Sequence, residues 1–188
     1  MKEDLAESDR ATETEIKIRL PDSITRHEIE SLLRIKFGPA VGQTDTVFAE
    51  SKQMLIDLPL GSRVARIREV GGMTKVAVKR ILSKIPLVRE EVELSTEEPM
   101  NFKAVFEALS LAAVVVVKKT RLAAKSGSYQ ILFDCVEGLG KFLEIELLEK
   151  EPKKGAIEDA FVAGILTSLG LSVGDIEHEP YDAQLLQR

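Results

Sequence analysis

Polar and apolar residues alternate over most of the chain. From Thr12 to Leu20 the sequence TETEIKIRL puts polar or charged side chains at one parity and apolar ones at the other, and Pro21 stops the run, which predicts a first β-strand. Ile24, Ile29, Leu32 and Leu33 then recur at helical spacing, with Thr25 and Glu28 related as in a capping box. A helix is therefore expected over 23–37, ending at Gly38-Pro39. TDTVFAE near 44–50 reads as a strand, SRVARIREV and TKVAVKRIL as a hairpin around Gly71-Gly72, and LVREEVELS at 87–95 as another strand. STEEPMNF opens a short amphipathic helix with an acidic first turn, carrying Phe102, Val105, Phe106 and Leu109. AAVVVVKKTRLAAK, YQILFDCV and KFLEIELLE, separated by SGS and EGLG, form a meander. A helix over about 156–169, a loop at 170–174 and a short helical tail near 180–187 close the chain. These make about eight strands and four helices, with turns too short for parallel crossovers. An up-and-down antiparallel barrel and a strongly bent sheet both fit.

Residues i and i+2 of a strand share a face, and here the charges share it from strand to strand. Glu13, Glu15 and Lys17 oppose Thr14, Ile16 and Ile18, while Arg66 and Arg68 oppose Ala65 and Ile67. Lys75 and Lys79 oppose Val76 and Val78, and Arg89, Glu91 and Glu93 oppose Val88 and Val92, with Glu90 breaking the apolar face. Lys119, Arg121 and Lys125 share one parity, Asp134 opposes Phe133 and Cys135, and Glu144 and Glu146 oppose Leu143, Ile145 and Leu147. Two architectures produce this pattern. One is a sheet with a solvated, charge-paired face and an apolar face under helices. The other is a closed sheet whose charges line a lumen. Seven carboxylates (Glu13, Glu15, Glu91, Glu93, Asp134, Glu144, Glu146) and seven cations (Lys17, Arg66, Arg68, Lys79, Arg89, Lys119, Arg121) make such a lumen nearly neutral before Lys75 is added. Carboxylates suit hard divalent cations, and arginine and lysine suit phosphate, so a polyphosphate with its metal ions fits this inventory.

Composition narrows the field. The 188 residues are 44% hydrophobic and 30% charged, which suits one domain over 1–188 with a flexible polar lead over 1–11 and C-terminal helices over 156–188. A net charge of −5 with both signs mixed disfavours a nucleic-acid partner. Cys135 is the single cysteine, which excludes a disulfide framework, and His27 and His178 have no zinc spacing. A reducing, cytoplasmic setting is expected, and the acidic amino terminus lacks the apolar region of a secretory signal. The longest apolar run, Leu111 to Val117, has seven residues where a spanning helix needs roughly 20, so no membrane span is expected. Gly138, Gly140 and Lys141 lack phosphate-loop spacing and read as a hairpin turn. Cys135 falls on the apolar parity, where an inert buried thiol is expected, and His27 reads as a solvated helix residue.

ETEIK at 13–17 resembles the E-x-E-x-K signature of CYTH domains, the triphosphate tunnel metalloenzymes. RIR at 66–68, Lys79, EVE at 91–93, KTR at 119–121 and FDCVEGLGKFLEIE at 133–146 follow in the family's order, so the resemblance spans about 13–149. The last block is most similar to the branch containing class IV adenylyl cyclases. The resemblance implies an α+β, mainly β fold: an eight-stranded antiparallel closed barrel, the triphosphate tunnel, with helices packed outside. It implies a triphosphate small molecule such as ATP or tripolyphosphate as substrate and Mg2+ or Mn2+ as cofactor. Glu13, Glu15, Asp134, Glu144 and Glu146 would be the metal-side carboxylates, supported by Glu91 and Glu93. Lys17, Arg66, Arg68, Lys79, Lys119 and Arg121 would hold the triphosphate, with Lys17, Arg66 and Arg121 as the catalytic candidates and Lys17 suspected of proton transfer. Relatives in the cyclase branch dimerise, so a homodimer is expected, with the apolar run Val114 to Val117 a candidate pairing strand. The chain departs from the pattern at Asp45-Thr46-Val47-Phe48, where relatives carry a tyrosine, at Arg80 after Lys79, and at Tyr181 with Leu185-Leu186 in place of S-Y-x-x-L-L. The resembling residues fit both cyclisation of ATP to cyclic AMP and triphosphate hydrolysis, and also binding without turnover.

Overall fold

The computed structural model describes residues 10–85, 87–97, 99–147 and 159–188, with 10–13 and 159 described for the backbone alone. The elements in chain order are β1 (Arg10–Leu20), α1 (Arg26–Leu33), β2 (Val41–Ala49), α2 (Lys52–Asp57), β3 (Arg63–Val70), β4 (Met73–Lys84) and β5 (Leu87–Thr96). They continue with α3 (Pro99–Ala108), β6 (Ala112–Ser126), β7 (Tyr129–Val136), β8 (Gly140–Leu147), α4 (Asp159–Ser168), β9 (Ile176–Glu177) and α5 (Tyr181–Leu186).

β1 closes the sheet. Its first half, Arg10 to Glu15, pairs antiparallel with β5, and its second half, Glu15 to Leu20, pairs with β8. The other strands run β5-β4-β3-β2-β6-β7-β8, so eight antiparallel strands form a ring. β9 adds to β1 at Lys17 and Ile18, past the stretch that β5 covers. The ring is not an up-and-down meander, because the chain crosses between β1 and β2 and again between β5 and β6. Each crossing carries a helix, α1 or α3.

Those helices decide between the two architectures. The apolar parity faces outward and is covered: Ile29 of α1 and Val162, Ile165 and Leu166 of α4 pack with Ile18, Leu122, Ile131, Phe133, Leu143 and Ile145. Phe106 of α3 packs with Phe48, Ala65 and Val76, its ring centroid 5.3 Å from that of Phe48. A third cluster joins Leu55 of α2 and Tyr181 of α5 to Val47, Val64, Val117 and Phe142 at one end of the barrel. With its outer face occupied by helices, the sheet has only its interior for the charged parity.

Several expectations shift. The capping box at Thr25 and Glu28 is present, but the first helix stops at Leu33, because Arg34 takes the left-handed conformation at φ 53°. α3 begins at Pro99, so Glu97 precedes it rather than charging its first turn. α2 was not anticipated; its signal is Ser51, whose hydroxyl accepts from the Met54 N–H. A 3-10 turn at Val173–Asp175 enters the expected loop and leads to β9. Cys135 is exposed instead of buried, because α1 and α4 cover Ile131 and Phe133 but not the end of β7. Val115 to Val117 pair with β2, whereas β7 pairs with β6 only from Lys119 to Ser126. The polar lead up to residue 9 and the part of the expected last long helix before 159 lie outside the described residues. No helix among the described residues is long and apolar enough to cross a membrane.

Phe106 is 4% exposed and anchors α3 to the barrel, so Phe106→Ala is expected to cost about 3 kcal/mol of unfolding free energy, read from urea titration of the purified variant.

Candidate functional site

The inward positions of the barrel enclose a cavity of about 430 Å³. Strand register places opposite charges side by side: Lys17 faces Glu144 across β1 and β8, Asp45 faces Arg68 across β2 and β3, Lys79 faces Glu91 across β4 and β5, and Arg121 faces Asp134 across β6 and β7. Most of these neighbours are bonded. Arg68 grips Asp45 through two bonds of 2.6 Å, a bidentate fork. Arg66 reaches Glu91 at 3.1 Å and Glu93 at 2.9 Å, and Lys79 reaches Glu91 at 2.8 Å. Lys17 donates to Glu15 at 3.1 Å and lies 3.6 Å from Glu144, while Arg89 also bonds Glu15. Arg121 bonds Asp134 and Glu144 and lies 4.0 Å from Glu146.

Of the expected residues, Glu15, Lys17, Arg66, Arg68, Lys79, Glu91, Glu93, Lys119, Arg121, Glu144 and Glu146 line one cavity. Asp134 stands behind the wall at 0% exposure, accepting from Lys119 at 3.0 Å, from Arg121 at 2.7 Å and from the Tyr181 hydroxyl at 3.2 Å. It orients two cations and has little capacity left for a metal. The Glu13 side chain lies outside the described residues. Asp45 and Asp182 take their places on the wall, so the described lining again holds seven cations and seven carboxylates. Asp45 had a signal in its parity with Val47, although one acid among threonines and apolar residues is faint. Tyr181 was marked only by its likeness to the family's closing element, and Asp182 had no signal, because a helix six residues long says nothing of which barrel end it meets.

Val47, Leu58, Val64, Ile81, Val117 and Pro180 share the cavity wall with the charges, and Val47, Val64 and Val117 cluster with Tyr181 of α5. The Tyr181 ring packs against Phe142 at 4.9 Å and carries Lys17 Nζ at 4.3 Å and Lys119 Nζ at 5.0 Å from its centroid.

Enclosure perturbs the titrating groups in ways the pairs explain. Burial alone would raise the Glu144 carboxyl, but Arg121, Lys119 and Lys17 outweigh it and hold it far below the usual carboxylate range. Burial opposes the Lys17 ammonium, yet Glu15 and Glu144 prevail and raise its pKa above the ordinary lysine value. An ammonium held in this way already carries its proton at neutral pH. Lys119 shifts the opposite way, lowered by burial and by the neighbouring Arg121. Burial raises both the Tyr181 hydroxyl and the Asp182 carboxyl, the latter facing Arg89, Lys17 and Lys79.

Glu15, Glu144 and Glu146 offer an oxygen-only donor set on two adjacent strands, with Glu15 opposite Glu146, which fits Mg2+ or Mn2+. Among the described residues no three such groups converge as a finished metal site, because cations engage these carboxylates. Metal entry would exchange one counter-charge for another.

Burial raises the Asp45 carboxyl, but Arg68 outweighs it and the net pKa is lowered. The pair's contribution is therefore complete above the unfolded aspartate value of about 3.9 and is lost as pH falls through the lower folded value. Asp45→Asn is expected to cost on the order of 2 kcal/mol near neutrality, and denaturation across a pH series should show the gap from wild type closing below about pH 3.9.

Comparison with known proteins agrees with this geometry. A protein of Methanocaldococcus jannaschii named "putative adenylate cyclase" is 29% identical over 172 residues, covering 90% of this chain and 95% of its own. A solved protein of Pyrococcus horikoshii superposes with a TM-score of 0.73 at 27% identity, covering 90% of this chain and 97% of that one. A Hippeastrum protein described as having a dominant triphosphatase activity shares the fold, with a TM-score of 0.58 at 15% identity over 89% of this chain and 90% of its own. The CYTH domain model matches residues 11–176, from the strand that closes the ring to the strand added beside it. The charged tunnel thus has a family, and this chain belongs to it: the CYTH domain family of phosphoryl-chemistry enzymes.

Proposed function

We propose that the tunnel binds the polyphosphate chain of a triphosphate and processes it with a divalent metal, in the manner of a class IV adenylyl cyclase that converts ATP to cyclic AMP and pyrophosphate. The observation that carries this reading is that the cations on the cavity wall are held by carboxylates that phosphate oxygens can replace. A triphosphate brings roughly four negative charges, and Arg66, Arg68, Lys79, Lys119, Arg121 and Lys17 supply donors from four strands, so the chain would be gripped from several sides. The apolar wall at Val47, Val64, Ile81 and Val117 gives an organic substituent a surface that an inorganic polyphosphate would not use.

Glu15, Glu144 and Glu146 would hold the divalent ion, with Glu91 and Glu93 of β5 keeping Lys79, Arg66 and Lys75 in place on β4 and β3. Such an ion, when bound, polarises a phosphoryl oxygen and offsets charge. The residues of the chain position and neutralise. In cyclisation the ribose 3′-hydroxyl gives up its proton to water, its oxygen bonds the α-phosphorus, and the bridging P–O bond breaks toward pyrophosphate. Arg66 and Arg121 would stabilise the charge that develops on the phosphoryl oxygens.

Hydrolysis of a triphosphate is the second reading, favoured by the triphosphatase activity described for the Hippeastrum protein of the same fold. Water would then replace the ribose oxygen as nucleophile in the same clamp.

A phosphorus NMR time course with Mg2+ or Mn2+, using ATP and tripolyphosphate in separate samples, separates these outcomes. A cyclic-nucleotide signal with pyrophosphate is expected; orthophosphate would establish the hydrolase, and no change with either substrate or with other nucleoside triphosphates would refute the enzymatic reading. Arg66→Ala is expected to lower turnover by roughly 10²- to 10³-fold in the folded protein, checked by steady-state assay.

A further inference from the structure

Arg19 is the next inward position of β1 after Glu15 and Lys17, yet it does not line the cavity. Its guanidinium instead contacts four separate pieces of chain. Nε donates to Glu177 of β9 at 2.5 Å, one Nη to the Leu139 carbonyl in the β7–β8 turn at 3.0 Å, and the other Nη to Gln184 Oε1 of α5 at 2.7 Å. The guanidinium carbon also lies 4.7 Å from the centroid of the Phe142 ring. A planar fork with diverging donors can satisfy three acceptors in fixed directions, which a lysine cannot.

α5 needs such an anchor. It has six residues and no side-chain hydrogen bond at its N-cap, so its position comes from tertiary contacts. Gln184 is 8% exposed and spans the joint, accepting from Arg19 and donating to the Glu179 carbonyl at 2.9 Å. One turn earlier on the same helix, Tyr181 donates to Asp134 and presents its ring to Lys17 and Lys119.

We propose that Arg19 is a positioning residue: by holding Gln184 it seats α5, and α5 sets Tyr181 against Asp134 and beneath the two lysines that grip the substrate. Arg19 itself touches no reacting atom. This assignment rests on the tunnel being the reaction site. A displacement of α5 of about 1 Å would disturb Lys17, Lys119 and the carboxylate that orients Arg121 at once, the scale of misplacement that costs roughly 10²-fold in rate.

The chain has no tryptophan and two tyrosines, so in a Tyr129→Phe background, which keeps the ring stacked on Phe161, tyrosine emission reports Tyr181 alone. In that background Arg19→Met and Gln184→Leu are expected to make Tyr181 accessible to acrylamide quenching and to lower kcat by roughly 10²-fold with a much smaller change in KM. Gln184→Glu keeps an acceptor for Arg19 but gives up the donor to the Glu179 carbonyl, so it should retain more shielding and turnover than Gln184→Leu. Gln184→Leu leaves the Arg19–Glu177 pair in place, so it gives the answer even where Arg19→Met fails to fold. Tyr181 remaining shielded in Gln184→Leu, kcat surviving while Tyr181 is exposed, or Gln184→Glu behaving like Gln184→Leu would each overturn the assignment. If the wild type processes no triphosphate, the proposed function fails on its own. Quenching paired with calorimetric affinity for tripolyphosphate then decides for Arg19: exposure with weakened binding supports it, and unchanged binding overturns it.

Discussion

Charge pairing inside a closed sheet is the constraint on which this structure depends. Once β1 joins β5 to β8, the inward side chains lose most of their access to bulk water, and an unpaired charge there would cost several kcal/mol. The fold meets this by register: cations and carboxylates occupy facing positions on neighbouring strands, as at Asp45 with Arg68 and at Lys79 with Glu91. The same requirement accounts for Asp134, wholly enclosed and met by Lys119, Arg121 and Tyr181. It also accounts for the helices, since the apolar parity must be covered from outside and α1, α3 and α4 cover it.

An interior neutralised in this way is primed for exchange. A polyphosphate that takes Arg66 or Lys79 releases Glu91, and a divalent ion that takes Glu15 or Glu144 releases Arg89 or Arg121. On the proposed reading each ligand would free binding groups for the other, and by linkage their affinities would then reinforce one another. The internal ion pairs serve two states: they hold the empty barrel together, and they set the free energy that substrate and metal together must exceed.

Much of this was legible in the sequence because strand parity is a local property. E-x-E at 91–93, R-x-R at 66–68 and E-x-E at 144–146 declare a charged face without any knowledge of their neighbours. Closure was a different matter, since nothing local distinguishes a solvated face from a lumen; the partition of β1 between β5 and β8 is a long-range fact. Chain order around the ring was equally hidden, because a helix between strands does not say which neighbour it skips. Cys135 shows the limit of parity: it lies on the apolar face, yet the covering helices end short of it. Asp45, a lone acid, and Tyr181 stood out only as departures from the family pattern, and Asp182 not at all, since it sits in a tail whose destination depends on Arg19 and Gln184.

The most direct test of the paired lumen as a triphosphate and metal site is a crystal structure with tripolyphosphate and Mn2+, using anomalous scattering to locate the metal. The account predicts the phosphate chain within the tunnel, Arg66, Arg68 and Arg121 turned from their carboxylates toward it, and manganese beside Glu15, Glu144 and Glu146. Polyphosphate bound outside the barrel, with the interior ion pairs undisturbed, would contradict it.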